Sequence, residues 1–150
     1  MQTASSDVLA QLVGAIARTD GIHSVQIPEL MMYRRDTATD PMPCMYGLGL
    51  AITVQGNKRV TLSDEVFEYG PGQSLVTSVD LPVVSYVTRA NSAEPYLGLS
   101  LELDARVIAQ MAAEVDFSAP LKVATTRAMS VVNLDDGVLD ALIRLIQLLD

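Results

Sequence analysis

Histidine and cysteine are almost absent from this chain, and their scarcity limits the chemistry its side chains can perform. His23 is the single histidine and Cys44 the single cysteine among 150 residues. A protein metal centre built on histidine needs two or three imidazoles, often with a carboxylate, converging at about 2 Å from the ion. One histidine excludes such a site within one chain. We therefore expect no metal and no other cofactor.

The remaining reactive side chains do not form a recognisable catalytic pattern. His23 and Cys44 lack a third orienting group and do not sit in the strand-turn-helix context of an activated nucleophile. The acidic pairs at positions 64–65 and 135–136 are typical of a solvated turn and of a helix start. These observations favour a binding domain over an enzyme.

Tyrosine and arginine side chains on strand-like segments are the best candidates for holding a small molecule. A tyrosine offers both an aromatic face and a hydroxyl, and an arginine can pair with an anionic group. The candidate ligand-binding residues are Tyr33, Arg34, Tyr46, Tyr86, Arg89 and Tyr96. Each also suits ordinary packing or solvent exposure. The seven methionines suit either an adaptable apolar pocket or a core.

The elements that must position these residues are short strands flanked by helices. Apolar spacing predicts a helix over about 6–19, capped by Ser6. Between about 22 and 103 the period changes to two, with about eight short strands and turns every 8–12 residues. In the clearest strand, leucines alternate with Tyr96, Gly98 and Ser100. This pattern predicts a mainly β sandwich or barrel.

Helical periodicity returns in the C-terminal part, about 104–150. Asp104 suits the N-cap of a helix with Val107, Ile108, Met111, Ala112 and Val115 on one face. A strand is expected over 128–134, followed by a helix that starts near 135–136 and is apolar on most sides. Such a helix must be covered by its own domain, by a second subunit or by a further part of the protein. We expect the chain to be part of a longer protein.

Composition excludes several classes of partner. The net charge is −8, and the ten basic residues are scattered. Nucleic acid and anionic membrane surfaces both require clustered basic residues, so this chain is expected to bind neither. No apolar run reaches the length of a membrane span, and the N-terminus lacks the features of a signal peptide. A cytoplasmic location is expected.

The ordered turns and strands from Gln55 onward carry a family resemblance. The matching residues are Gln55, Gly56 and Lys58, Tyr69-Gly70-Pro71-Gly72 and Leu75, Asp80-Leu81-Pro82, and Pro95-Tyr96-Leu97 through Leu103-Asp104. In this set and its spacing the chain resembles the N-terminal, cupin-like domain of AraC-family transcriptional regulators. The resemblance covers most of the chain.

This resemblance implies both a fold and a function. It implies a single domain over 1–150, built as a cupin-like double-stranded β-helix (a jelly-roll barrel). The domain would sense a small-molecule effector and form a homodimer through its C-terminal helices. DNA contact would come only from a helix-turn-helix domain expected downstream and absent from these 150 residues. Among the motif residues, a structural role is expected for Gln55, Gly56, Lys58, Tyr69, Gly70, Gly72 and Pro82.

The expected dimer contact lies in the last helix. Its candidate residues are Leu139, Leu142, Ile146 and Leu149. Two alternatives to the sensing function remain open: a metal-independent cupin enzyme of the sugar isomerase or epimerase type, and a domain that only dimerises and binds no ligand.

Overall fold

Two antiparallel sheets and three helices make up the part of the chain that the computed structural model describes, residues 4–114 and 128–149. The helices are α1 (Ala4–Ile16), α2 (Ala105–Glu114) and α3 (Asp136–Gln147). The strands are β1 (Gly21–Ser24), β2 (Leu30–Arg35), β3 (Met42–Tyr46), β4 (Gly49–Gln55), β5 (Asn57–Leu62), β6 (Glu65–Tyr69), β7 (Gln73–Thr77), β8 (Leu81–Arg89), β9 (Tyr96–Glu102) and β10 (Met129–Asn133).

The strands divide into a six-stranded and a four-stranded sheet. The larger sheet has the order β1-β2-β9-β4-β7-β10, and the smaller has the order β3-β8-β5-β6. Neighbouring strands pair antiparallel throughout, and most neighbours are distant in sequence, as in a jelly roll. The predicted fold class, mainly β with flanking helices in a cupin-like arrangement, is confirmed.

The larger sheet separates two apolar layers, because successive side chains of a strand point to opposite faces. On its outer face, Ile52 and Leu99 pack against Leu9 and Val13 of α1 and against residues of α3. On its inner face, Leu75 packs against residues of the smaller sheet such as Val60. A ligand between the sheets would therefore lie one strand thickness away from the helices.

The boundaries of several elements differ from the sequence prediction. Helix α1 ends at Ile16, three residues early, and Ser6 lies inside it as a buried residue rather than at its cap. Pro82, expected to be structural, is the second residue of β8. Strand β3 was not predicted, since prolines precede and interrupt it. It lies at a sheet edge, where a missing N–H is tolerated.

Turn and capping residues act largely as their types predict. Gly56 joins β4 to β5 with φ +82°, a conformation that favours glycine, and an added Cβ would lie 2.6 Å from the Arg89 carbonyl oxygen. Asp135 caps α3 by accepting a hydrogen bond from the Val138 amide at 2.8 Å. Asp104 similarly accepts from the Arg106 amide at the start of α2.

Helix α2 exposes the apolar face that the sequence predicts. Val107, Ile108 and Met111 are all exposed, and no residue of this helix is buried. Val115, which the sequence places on the same face, lies outside the described residues. Among the described residues, no helix has both the length and the apolar character needed to cross a membrane.

Candidate ligand-binding cavity

A cavity of about 510 Å³ lies between the two sheets. Its wall on the side of the larger sheet includes Gly49, Ala51 and Ser100, small residues of the central strands β4 and β9. Larger side chains at Ala51 and Ser100 would fill the space between the sheets. The cavity therefore exists because the inner face of the larger sheet is lined by small residues.

A lysine and aromatic rings form the polar side of this cavity. Lys58 enters from β5, and its ammonium lies 5.8 Å from the ring centroid of Tyr33 and 5.5 Å from that of Tyr46. These distances are typical of cation–π contacts. Tyr33 belongs to the larger sheet and Tyr46 to the smaller one, so Lys58 lies where the two sheets face each other.

The tyrosine hydroxyls around the cavity differ in their hydrogen bonding. Tyr33 hydrogen-bonds to the Ser100 hydroxyl at 2.9 Å, and Tyr96 to the Thr53 hydroxyl at 3.0 Å. The buried hydroxyls of Tyr46 and Tyr69 make no hydrogen bond of good geometry within the described part of the chain. The two hydroxyls nevertheless interact with each other, and that of Tyr46 also interacts with Ser85. Of these two tyrosines, it is Tyr46 that lines the cavity.

Burial keeps the inner phenols protonated. It raises the pKa of Tyr46 to about 12, with a smaller contribution from Cys44. Burial is also the main cause that raises the pKa of Tyr69 well above its ordinary value, and it raises the pKa of Tyr96. At neutral pH these groups are therefore hydrogen-bond donors as well as acceptors.

We expect the Tyr46 phenol to make the domain less stable as the pH becomes alkaline. The unfolded chain releases this proton near pH 10 and the folded chain only near pH 12. The contribution of this phenol to the free energy of unfolding is therefore complete below pH 10 and is lost as the pH rises from 10 to 12. The loss is about 3 kcal/mol for two pKa units. Urea denaturation at pH 8, 10 and 11.5 measures this fall. The fall should be smaller in Tyr46→Phe, and an equal fall in both proteins would contradict the assignment.

The structure brings together three of the six predicted ligand-binding residues: Tyr33, Tyr46 and Tyr96 line the cavity. Arg34 and Tyr86 lie away from this cavity. Arg34 points to the helix side of β2, where it pairs with Asp36 at 2.8 Å and contacts the Ala17 carbonyl.

Tyr86 lies outside the space between the sheets, because alternation places its neighbours Ser85 and Val87 on the inner side of β8. Its hydroxyl accepts a hydrogen bond from Arg59 at 3.0 Å. Arg89 is exposed at a different cavity, of about 530 Å³, which α1 and the β4–β5 turn border together with Asn91 and Glu94.

The residues of the predicted dimer contact in α3 pack within their own chain. Leu139, Leu142 and Ile146 are buried in the apolar layer that α3 shares with α1 and the larger sheet, and Leu149 packs against the same layer. These side chains are covered by their own chain, so a dimer through the C-terminal helices must use other residues. The large apolar side chains that are exposed on α2, on α3 and at the C-cap of α3 are Val107, Ile108, Met111, Val138 and Leu148.

Most of the motif residues expected to be structural lie in turns and strand pairs. Gln55 donates to the Pro95 carbonyl at 2.8 Å, and the Gly70 amide donates to the Gln73 side chain at 2.9 Å. Gly72 has φ +81° in the β6–β7 turn, and Pro82 pairs with Met45. Gly56 and Tyr69 complete this group, the first in the β4–β5 turn and the second buried at the end of β6.

Lys58, for which only a structural role is expected from the sequence, lines the cavity. The signal was its position: Lys58 alternates with Val60, a buried core residue, along β5. The sequence carries no comparable signal for Cys44 and Ser85, whose side chains lie 3.3 Å apart on the cavity wall. His23 lies on edge strand β1 and hydrogen-bonds to the Thr19 carbonyl. Within residues 4–114 and 128–149 no three His, Cys, Asp or Glu residues are grouped as metal ligands.

Comparison with known proteins agrees with this architecture. A family model described as the AraC-type transcriptional regulator N-terminus matches residues 26–150. No curated protein matches the chain.

Among solved structures, an apo ToxT variant from Vibrio cholerae strain SCE256 is similar, with a TM-score of 0.55 and 6% identity. The likeness covers 85% of this chain and 50% of that one, so the chain spans about half the length of ToxT. At this identity the likeness concerns the fold. The family match extends over most of the sequence: the chain belongs to the family of AraC-type transcriptional regulator N-terminal domains.

Proposed function

We propose that this chain is the effector-sensing and dimerisation domain of a transcription regulator, and that its effector binds between the two sheets. The observation that carries the proposal is the cavity of about 510 Å³ with a lysine and three tyrosines on its wall. Small-molecule sites commonly have volumes of about 300–1,000 Å³, a mostly apolar lining and a few convergent polar groups. In this proposal the domain binds its ligand and does not transform it.

The strands of the larger sheet offer a route from the cavity to the helices. In β9, Tyr96 and Ser100 face the cavity, while Leu97 and Leu99 pack in the layer with α1 and α3. A ligand that shifts β9 therefore also shifts the surface on which the helices rest. Such coupling requires that the ligand bind one helix arrangement better than the other.

The full regulator would carry its DNA-binding domain in another part of the protein and would act in the cytoplasm. The net charge of −8 supports the assignment of DNA contact to another domain. Self-association is proposed to use the exposed apolar side of the C-terminal helices, where Ile108 and Met111 of α2 lie uncovered. Burying such side chains against a second copy would remove apolar surface from water.

The test of sensing uses the methyl groups of methionine as reporters. Met31, Met42 and Met45 line the cavity, whereas Met32 is buried on the helix side and Met111 lies on α2. With methyl-¹³C methionine, an effector found in a metabolite panel should shift the three cavity resonances and raise the Tm. A panel in which every stabilising compound leaves the cavity methyl groups unchanged would contradict a site between the sheets.

Dimerisation is tested separately by sedimentation velocity across micromolar concentrations. We expect a dimer for the wild-type chain and a shift towards monomer for Ile108→Glu, with Arg106→Glu as the control for added charge on the same helix. A wild-type monomer at every concentration would remove the dimerisation half of the proposal and leave sensing to be decided by the methyl resonances.

A further inference from the structure

The second cavity, of about 530 Å³, lies apart from the space between the sheets and has a different character. One side of α1, the β4–β5 turn and the loop between β8 and β9 form it, and none of its lining residues also lines the first cavity. Its volume is within the range of about 300–1,000 Å³ that is common for small-molecule sites. Most of its wall consists of polar and charged side chains, so it suits a polar ligand.

The charged groups on this wall have both signs and are not paired with each other. They are the guanidinium of Arg89 and the carboxylates of Asp7 and Glu94. Within residues 4–114 and 128–149, none of these three groups belongs to an ion pair. Unpaired charges of both signs around one space favour a ligand that carries complementary charges of both signs.

The backbone that carries two of these charges is held by hydrogen bonds. The Asn91 side chain accepts from the amides of Ala93 and Glu94 at 3.0 and 2.8 Å, and the Asn91 amide donates to the Glu94 carbonyl at 3.1 Å. Arg89 is the last residue of β8 and is the register partner of Asn57 in β5. Because these backbone positions are already ordered, a ligand that binds here orders only side chains.

The number and sign of the charges indicate a class of ligand. A guanidinium binds a carboxylate through two parallel hydrogen bonds, and each carboxylate can accept hydrogen bonds from an ammonium group. Ala10 and Pro71 add apolar surface to the same wall, against which a short methylene chain can pack. One guanidinium and two carboxylates give the cavity one net negative charge, which matches a ligand with one net positive charge.

We propose that this second cavity binds an α-amino acid with a cationic side chain, such as lysine. The α-carboxylate of the ligand pairs with Arg89, and its two ammonium groups pair with Asp7 and Glu94. Asp7 belongs to α1, whereas Arg89 and Glu94 belong to the end of β8 and the loop that follows it. The bound amino acid therefore links α1 to the strands, and it should raise the Tm of the domain.

The experiment compares lysine with three analogues, each of which lacks one of its charged groups. Cadaverine lacks the α-carboxylate, 6-aminohexanoate lacks the α-ammonium group, and norleucine lacks the side-chain ammonium group. Binding is measured by isothermal titration calorimetry at neutral pH and by the rise in Tm. We expect lysine to bind at least tenfold more tightly than each analogue, since each analogue leaves one charge of the cavity without a partner.

Two exposed arginines provide a matched pair of variants. Arg89→Gln removes the cation of the cavity, and Arg144→Gln makes the same change of charge on α3, outside the cavity. We expect Arg89→Gln to weaken lysine binding at least tenfold and to leave cadaverine binding unchanged, so that the advantage of lysine over cadaverine disappears. Arg144→Gln should leave the binding of both compounds unchanged.

A second variant tests the acidic side of the cavity. Glu94→Gln should weaken the binding of both lysine and cadaverine, because each of them uses two ammonium groups. Circular dichroism establishes that each variant is folded, and Glu94→Gln decides the question if Arg89→Gln is not.

Each contrary outcome identifies the part of the inference that is wrong. Cadaverine or norleucine binding as tightly as lysine would overturn the assignment to a basic amino acid, and so would undiminished lysine binding by Arg89→Gln or Glu94→Gln. The absence of any lysine binding at millimolar concentrations would overturn the site itself. None of these results bears on sensing between the sheets, which is decided by the methyl resonances of Met31, Met42 and Met45.

Discussion

Leu139→Ala should lower the free energy of unfolding by about 2–5 kcal/mol, the range for removing a large aliphatic side chain from a core. Leu139 is 2% exposed in the layer formed by α3, α1 and the larger sheet, so its removal leaves a cavity that the neighbouring side chains fill only in part. Urea denaturation followed by circular dichroism measures the change. This is the largest effect expected for a residue of the C-terminal helix.

Leu148 provides the matched control, since it lies in the same segment and is 80% exposed. Leu148→Ala should change the free energy of unfolding by less than about 0.5 kcal/mol. Sedimentation velocity distinguishes the core role of Leu139 from an interface role. If Leu139→Ala dissociates a dimer without lowering the stability of the subunit, the buried position of Leu139 within its own chain is wrong.

Tyr69→Ala should cost about 3–5 kcal/mol, because it removes a large ring from the core between the two sheets. Tyr69→Phe is expected to act in the opposite direction. It keeps the ring but deletes a buried hydroxyl whose interaction with Tyr46 lacks good hydrogen-bond geometry, so the free energy of unfolding should rise by up to about 1 kcal/mol. Urea denaturation of the two variants measures both changes.

The Tyr69→Phe variant also connects stability to function. Tyr69 interacts with Tyr46, which lines the cavity, so if its hydroxyl positions Tyr46 for a ligand, the more stable variant should bind that ligand less tightly than the wild type. A gain in stability with a loss of binding is common when a polar group that serves binding rather than folding is removed. A Tyr69→Phe protein that is less stable than wild type by 1 kcal/mol or more would show that the hydroxyl has a partner in the folded chain.

The sequence predicts the strands better than it predicts the cavity. Alternation in β9 correctly separates the leucines from Tyr96, Gly98 and Ser100, and Asp135 correctly marks the start of α3. A period of two identifies two faces, but it does not say which face meets the helices and which meets the other sheet. For that reason Tyr86 could be placed on a strand but not on its outer side.

Two further differences have physical causes that only the fold reveals. Strand β3 contains Pro43, which argues against a central strand but is tolerated at the edge position that β3 occupies. Lys58 directly follows the turn residues Gly56 and Asn57, and a lysine beside a turn is usually solvated. Its contact with two aromatic rings arises because β2 and β3, distant in sequence, face β5 across the cavity.

The small residues on the inner face of the larger sheet bear on how ligand preference can diverge among proteins of this fold. At Gly49 an added Cβ would meet the backbone oxygen of Leu101, and at Gly98 it would meet the Tyr96 hydroxyl and then the Ile52 backbone oxygen, so these positions are restricted by the sheet and by Tyr96. Ala51 and Ser100 already carry a Cβ, and their side chains adjoin open space. Substitutions at these two positions can change the size and shape of the accepted molecule while the opposite face of the same strands continues to hold the helices. Selectivity can therefore change without redesign of the scaffold.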